Sequence, residues 1–272
     1  MAWEKVKANR GSGGVDGQSL ETFAAQADQQ LDRLPGELKE DAYRPQPVRQ
    51  VQIPKVGKPG EFRTLGVPTI YDRVCQQALL NRLEPIFEPV FDEANFGYRP
   101  GRSTKDAMRK VWKEIRRGRE WIVDADLRDF FGSADHGKLL MLVAQRVADG
   151  RVLRLIKAML KAGSYGQGRL FPTERGTPQG SVISPLLSNI LLTPFDQEMR
   201  RKGYQLTRYA DDCAPRAQRP KGPDVCNCLT DEGRSLGTGL QEQVPNHLRR
   251  LWTKARVVST EGKGPGRTGS GD

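Results

Sequence analysis

Apolar periodicity runs through this chain as far as Asp212 and then stops, which confines any sizeable core to roughly the first three quarters of the sequence. Up to that point strand-like and helix-like stretches follow one another with turn signals between them. Beyond it, the final 60 residues hold five prolines, nine glycines and no Phe or Tyr. They close on STEGKGPGRTGSGD, which buries too little apolar surface to offset the entropy of ordering it, so residues 213–272 are expected to form an irregular tail. Within the tail, NHLRRLWTKARVV offers at most a short helix, too few turns to build a core. No internal repeat is visible.

The chain carries 44 Lys and Arg against 33 Asp and Glu, a formal charge of +11, and an excess of that size favours a polyanionic partner, nucleic acid first. No apolar run approaches the roughly 20 residues of a membrane span, and MAWEKVKANR lacks the apolar core of a leader peptide. A soluble, cytoplasmic protein with no membrane partner is the expectation. Cys75, Cys213, Cys226 and Cys228 have no zinc-type spacing, and reduced thiols are expected.

Residues 43–56, YRPQPVRQVQIPKV, alternate Val48, Val51 and Ile53 with polar neighbours and predict a strand with prolines at its start. After the GKPGEF turn, RTLGVP resumes an extended course. From Asp72 to Phe87 the apolar positions 74, 75, 78, 79, 83, 86 and 87 follow helical spacing, with Asp72 as candidate cap. Further helices are predicted from Ser19, from Ser103, over 137–162 and from about 184 to 199. Near the N-terminus GSGGVDG lies beside Lys5, Lys7 and Arg10; it suits either a phosphate approach or a flexible loop. The sum is a mixed α+β chain.

Two apolar strands end in carboxylates: Trp121, Ile122 and Val123 lead to Asp124 and Asp126, and YQLTRYADD leads to Asp211 and Asp212. In an antiparallel sheet such strand ends can lie side by side, and clustered carboxylates repel unless a cation neutralises them. Divalent metal is the natural partner, and with only His136 and His247 in the chain a histidine-based site is poorly supplied. Alone, an Asp-Asp pair is more often a solvated turn, and Asp124, Asp126 and Asp129 fit a surface loop equally well.

Their place within seven ordered blocks decides between them. VKANRGSGGVDG, YRPQPVRQVQIPK, RTLGVPTIYDRVCQQALL, FGYRPGRSTKDA, VDADLRDFFGSADH, GTPQGSVISPLLSNILL and RYADD occur in that order, and together they resemble the fingers and palm of a bacterial group II intron reverse transcriptase and maturase. The resemblance implies a polymerase right-hand fold, with residues 1–40 an N-terminal extension of the fingers, 41–212 the fingers and the antiparallel palm, and no thumb. It implies Asp126, Asp211 and Asp212 as catalytic carboxylates that hold two Mg²⁺ ions, with the Leu127 carbonyl as a further ligand. Lys55 and Arg63 would contact the triphosphate of an incoming dNTP, Phe131 would act as steric gate under its sugar, and Gln179 would lie against it. Tyr98, Arg99 and Arg102 would form a template-strand surface. Partners by resemblance are an RNA template, intron RNA above all, and a DNA primer.

Two departures stand out. The family commonly reads D-I-K-G-F-F-D where this chain has DLRDFFG at 126–132, and after YADD relatives continue with an apolar strand where CAPRAQRPKGPD, with Pro215, Pro220 and Pro223, leads us to expect none. The abruptness suggests a frame change or decayed copy, and so a second reading: an inactive remnant that binds RNA through its basic fingers. A third is a reverse transcriptase attached to a defence system rather than to an intron.

Overall fold

The computed structural model describes residues 2–55, 57, 59–117, 121–127, 130–213, 216–217 and 252–259, with the backbone alone for 121–127, 216–217 and 252–259. The chain divides into two units: Met1–Phe91 with Asp129–Leu192, and Asp92–Arg128 with Thr193–Asp272.

The first unit opens with α1 (Ala2–Ala8), α2 (Leu20–Ala25) and α3 (Ala27–Lys39), then β1 (Val48–Pro54), β2 (Phe62–Val67) and α4 (Ile70–Phe87). Ser19 starts α2 as its position predicts, its hydroxyl accepting from the Thr22 N–H at 3.1 Å. The α4 cap is Thr69, not Asp72. Asp72 stands instead at the third helical position: the Thr69 oxygen accepts from the Asp72 N–H at 3.1 Å and its hydroxyl donates to the Asp72 carboxylate at 2.7 Å. Tyr43 and the Gln46 N–H also donate to that carboxylate, which is why an acid tolerates burial there.

Val74, Cys75, Leu79, Leu83 and Phe87 of α4 are buried, each burial stabilising by about 1.5–3 kcal/mol for a large side chain. Gln76 is buried among them because its Oε1 accepts from the Ser181 hydroxyl at 2.8 Å and the Val182 N–H at 3.0 Å. The glycine-rich loop of residues 11–17 is tied down through its carbonyls, Arg49 donating twice to Gly13 O and Arg73 to Ser12 O.

In the second unit, α5 (Thr104–Arg116) carries a capping box between Ser103 and Asp106, and β3 (Trp121–Leu127) follows. The first unit resumes with α6 (Phe130–Ser133), α7 (His136–Ala144), α8 (Gly150–Lys161), the hairpin β4 (Ser164–Gly166) and β5 (Arg169–Phe171), and the first half of α9 (Ser184–Arg201). Residues 137–162, read from sequence as one helix, are two. Asp149 caps a new start, accepting from the Arg151 N–H at 2.8 Å, and a residue that competes for backbone amides in this way interrupts apolar periodicity without erasing it. Strands run in the order β2, β1, β4, β5, with β1 antiparallel to β2 from Arg49↔Val67 to Pro54↔Phe62 and parallel to β4.

The second unit ends in β6 (Arg208–Tyr209), β7 (Asp212–Cys213), β8 (Arg216–Ala217) and β9 (Trp252–Ser259). Here the structure corrects the sequence reading twice. A strand does follow Asp212: β7 pairs antiparallel with β3 at Ala125↔Cys213 and Asp126↔Asp212, and β8 continues the same register at Ile122↔Arg216 and Trp121↔Ala217. A single proline removes one ladder donor, which weakens a strand without forbidding the pieces on either side of it. And where a short helix was expected, Trp252–Ser259 is extended and pairs antiparallel along the other edge of β3, its Val257 and Val258 supplying β-branched character. Pro215, Pro220, Pro223, Cys226 and Cys228 lie outside the described residues. No helix among the described residues is long and apolar enough to cross a membrane.

Candidate functional site

In the first unit a cavity of about 530 Å³ opens where the β1–β2 hairpin, the start of α6 and the loop before α9 meet. Lys55, Arg63, Phe131 and Gln179 all line it, so one hollow gathers the four residues named for the nucleotide. Arg175 and Gln50 line it too, and sequence reading missed both. Lys55 also bridges to Glu61 at 2.9 Å, a half-exposed pair whose net stabilisation is below about 1 kcal/mol. Three cations around a hollow of this size suit a small polyanion.

The loop that carries Gln179 is held from behind. The Gly176 N–H donates to Ala134 O at 2.7 Å, the Thr177 N–H to Phe131 O at 2.6 Å, and buried His136 bonds the Gly176 carbonyl through Nε2 at 2.7 Å. Gly176 has φ +90, and a Cβ there would meet Phe131 O at 2.6 Å, so only glycine lets the loop lie this close to α6. Phe130 is buried while its neighbour Phe131 reaches the cavity, the two rings edge-on at 5.5 Å. The Thr177 hydroxyl, buried in the cavity lining, has no partner among the described residues.

In the second unit the acidic residues sit on a tight hairpin. Arg208 pairs with Cys213 and Tyr209 with Asp212, leaving Ala210 and Asp211 as a two-residue turn. Ala210 has φ +58, a left-handed conformation that costs a non-glycine residue about 1 kcal/mol. Arg208 holds the turn in it: the guanidinium is fully buried, donates to Ala210 O at 2.9 Å, and grips Asp196 of α9 with two bonds of 2.8 and 2.7 Å. Sequence reading passed over Arg208 and Asp196, because a separation of 12 positions hides a pair that only helix packing creates.

The same turn rests on the FGYRPGRS loop. Phe96 N–H donates to Arg208 O and Arg208 N–H to Ala94 O, each at 2.8 Å. A Cβ on Gly97 would collide with the Ala210 backbone nitrogen. Gly97→Ala is therefore expected to displace the turn, cost about 1–3 kcal/mol by overpacking, and lower any activity of the acidic hairpin by about 10²-fold; urea unfolding and a turnover assay read the two effects.

Asp126 and Asp212 are direct partners across β3 and β7, and Asp211 adjoins them on the turn. The β3–β9 register shifts between Asp126 and Leu127, a bulge of the kind that re-aims backbone beside sites. The side chain of Asp126 lies outside the described residues. Asp212 is exposed and Asp211 half-buried. Tyr98, with φ +57 and nearly half exposed, has its phenol pKa pushed up by burial and then by the nearby Asp211 carboxylate, so it stays a proton donor. Arg99 is buried and donates to the carbonyls of Asp92 and Asn95, while Arg102 donates to Glu93 and Asn95 and stacks over Phe96 at 5.4 Å. Of these three, Tyr98 is the exposed one, and the arginines brace the loop.

A family model described as "Reverse transcriptase (RNA-dependent DNA polymerase)" matches residues 53–231. The chain is 39% identical over 194 residues to "Protein YkfC" of Escherichia coli, covering 70% of this chain and 50% of that protein. It is 34% identical over 197 residues to "Group II intron-encoded protein LtrA" of Lactococcus lactis subsp. cremoris, covering 72% of this chain and 32% of that one. Thus the chain spans half or less of the length of these relatives. Among solved structures, an apo telomerase from Candida tropicalis aligns with a TM-score of 0.52 at 13% identity, over 84% of this chain and 54% of that one, a likeness of fold alone.

Proposed function

The chain belongs to the reverse transcriptase family, of the group II intron type, and from that premise we propose that it extends a DNA primer on an RNA template with dNTPs. The observation that carries the reading is the opposed register of Asp126 and Asp212 beside the Asp211 turn. Like charges directly opposite one another destabilise a sheet, so this donor set fits divalent cations and is otherwise costly. Asp126, Asp211, Asp212 and the Leu127 carbonyl would hold two Mg²⁺ ions. Bound there, such ions activate the primer 3′-hydroxyl and stabilise the leaving pyrophosphate.

The remaining work falls to the chain itself. Lys55, Arg63 and Arg175 hold the triphosphate by charge-assisted hydrogen bonds. Gln179 and Phe131 fix the nucleoside, Phe131 filling the space a ribose 2′-hydroxyl would need. Tyr98 offers a ring to the template. Phe131→Ala is accordingly expected to raise ribonucleotide over deoxynucleotide incorporation on the order of 10-fold to 100-fold, read by single-nucleotide extension with rNTP and dNTP. Arg63→Ala should raise KM for dNTP about tenfold or more with a smaller change in kcat, since the triphosphate is held before and during reaction.

The test of the whole reading is primer extension on an RNA template with dNTPs and Mg²⁺. Full-length product supports it. A folded protein that binds RNA and extends no primer overturns it in favour of the remnant.

A further inference from the structure

The outer face of α5 belongs to neither the cavity nor the acidic hairpin. Lys105, Met108, Arg109, Trp112, Lys113 and Arg116 recur at steps of three and four residues and so share one side of the helix, while Ala107 and Glu114 are buried on the opposite side. Trp112 is 65% exposed and Met108 64%. Exposed apolar residues are common singly, but a wet tryptophan beside a wet methionine inside a ring of cations is a patch that needs a partner.

Of this ring, the acids of α5 counter Arg109 alone among the described residues. Asp106 is engaged by its capping box and by Arg109 at 3.0 Å, and Glu114 is buried against Arg117 at 3.0 Å. Charge therefore argues for an anionic occupant, and the aromatic centre for one with flat rings to stack. Single-stranded nucleic acid meets both demands, whereas duplex offers phosphates but hides its bases. Lys105 to Arg116 covers about 16 Å of helix at about 1.5 Å per residue, enough for a few extended nucleotides.

We propose that this face of α5 is a second nucleic-acid surface, on which an unpaired base stacks on Trp112 while Lys105, Lys113 and Arg116 contact the flanking phosphates. It does not require polymerase activity and goes beyond it.

The test is fluorescence anisotropy of a labelled, unstructured single-stranded RNA against the full chain over a salt series. Trp112→Ala is expected to raise Kd about tenfold, and Trp112→Phe to recover most of that loss. Lys105→Gln with Lys113→Gln should make the slope of log affinity against log salt shallower by about 1.4, at about 0.7 per phosphate contact. A duplex probe should be nearly indifferent to Trp112→Ala. Because Trp112 is exposed, circular dichroism should show these variants folded. Asp211→Ala with Asp212→Ala, run alongside, should retain single-strand affinity, so the fate of the polymerase reading is seen separately. Single-strand affinities of the Trp112 and lysine variants within about twofold of the unaltered chain would overturn the proposal. So would sedimentation showing that Trp112→Ala dissolves a dimer without changing RNA affinity.

Discussion

Asp212→Asn is expected to lower Mg²⁺-dependent primer extension by on the order of 10³-fold while leaving the fold intact. Asparagine keeps the size and one oxygen but removes the charge, and metal stabilisation of a transferring phosphoryl group is worth several kcal/mol. Asp212 is exposed at the start of β7, so its replacement should change unfolding free energy by no more than about 0.5 kcal/mol. Relief of repulsion with its register partner Asp126 could even stabilise the metal-free protein. Asp126→Asn should behave alike in the assay, and the double variant should be little worse than either single one, because residues that act as a unit do not add. Matched denaturant curves with extension preserved in Asp212→Asn would remove this carboxylate from the chemistry.

Asp196→Ala is expected to be the most damaging substitution to stability, costing about 3–5 kcal/mol. Both partners of the Asp196–Arg208 pair are fully buried, so removing the acid leaves an uncompensated guanidinium in the interior. Arg208 also donates to Ala210 O, and the acidic turn should lose its anchor together with the fold. The double variant Asp196→Leu with Arg208→Met separates these effects: burying apolar side chains instead of a pair should recover much of the stability, yet extension should stay low because nothing replaces the bond to Ala210. Urea unfolding and primer extension on the three proteins measure the two quantities side by side.

Much of the candidate site is legible in the sequence because its residues advertise themselves locally. YADD, GTPQGS and FGYRPGRS are short, and the residues expected at the nucleotide do line one cavity. What could not be read is whatever depends on packing across the chain. Arg208 gave no sign of reaching Asp196, and Gly97 gave no sign that the YADD backbone lies on it. Arg99 reads as a surface cation until its carbonyl partners are seen. The strands beyond Asp212 were missed for the opposite reason. Prolines and glycines dominate the local signal there, and the register with β3 is a property of the partner strand as much as of the tail.

That register also bears on the order in which the molecule assembles. β3 is flanked on one edge by β7 and β8 and on the other by β9, so Trp121 meets Ser259 from the opposite half of the chain. Closing so distant a contact is slow, and on a ribosome the second edge cannot form until Trp252–Ser259 has emerged. During synthesis the strand bearing Asp126 would then wait with an open flank, available to chaperones or to self-association, and acquire its final neighbour last.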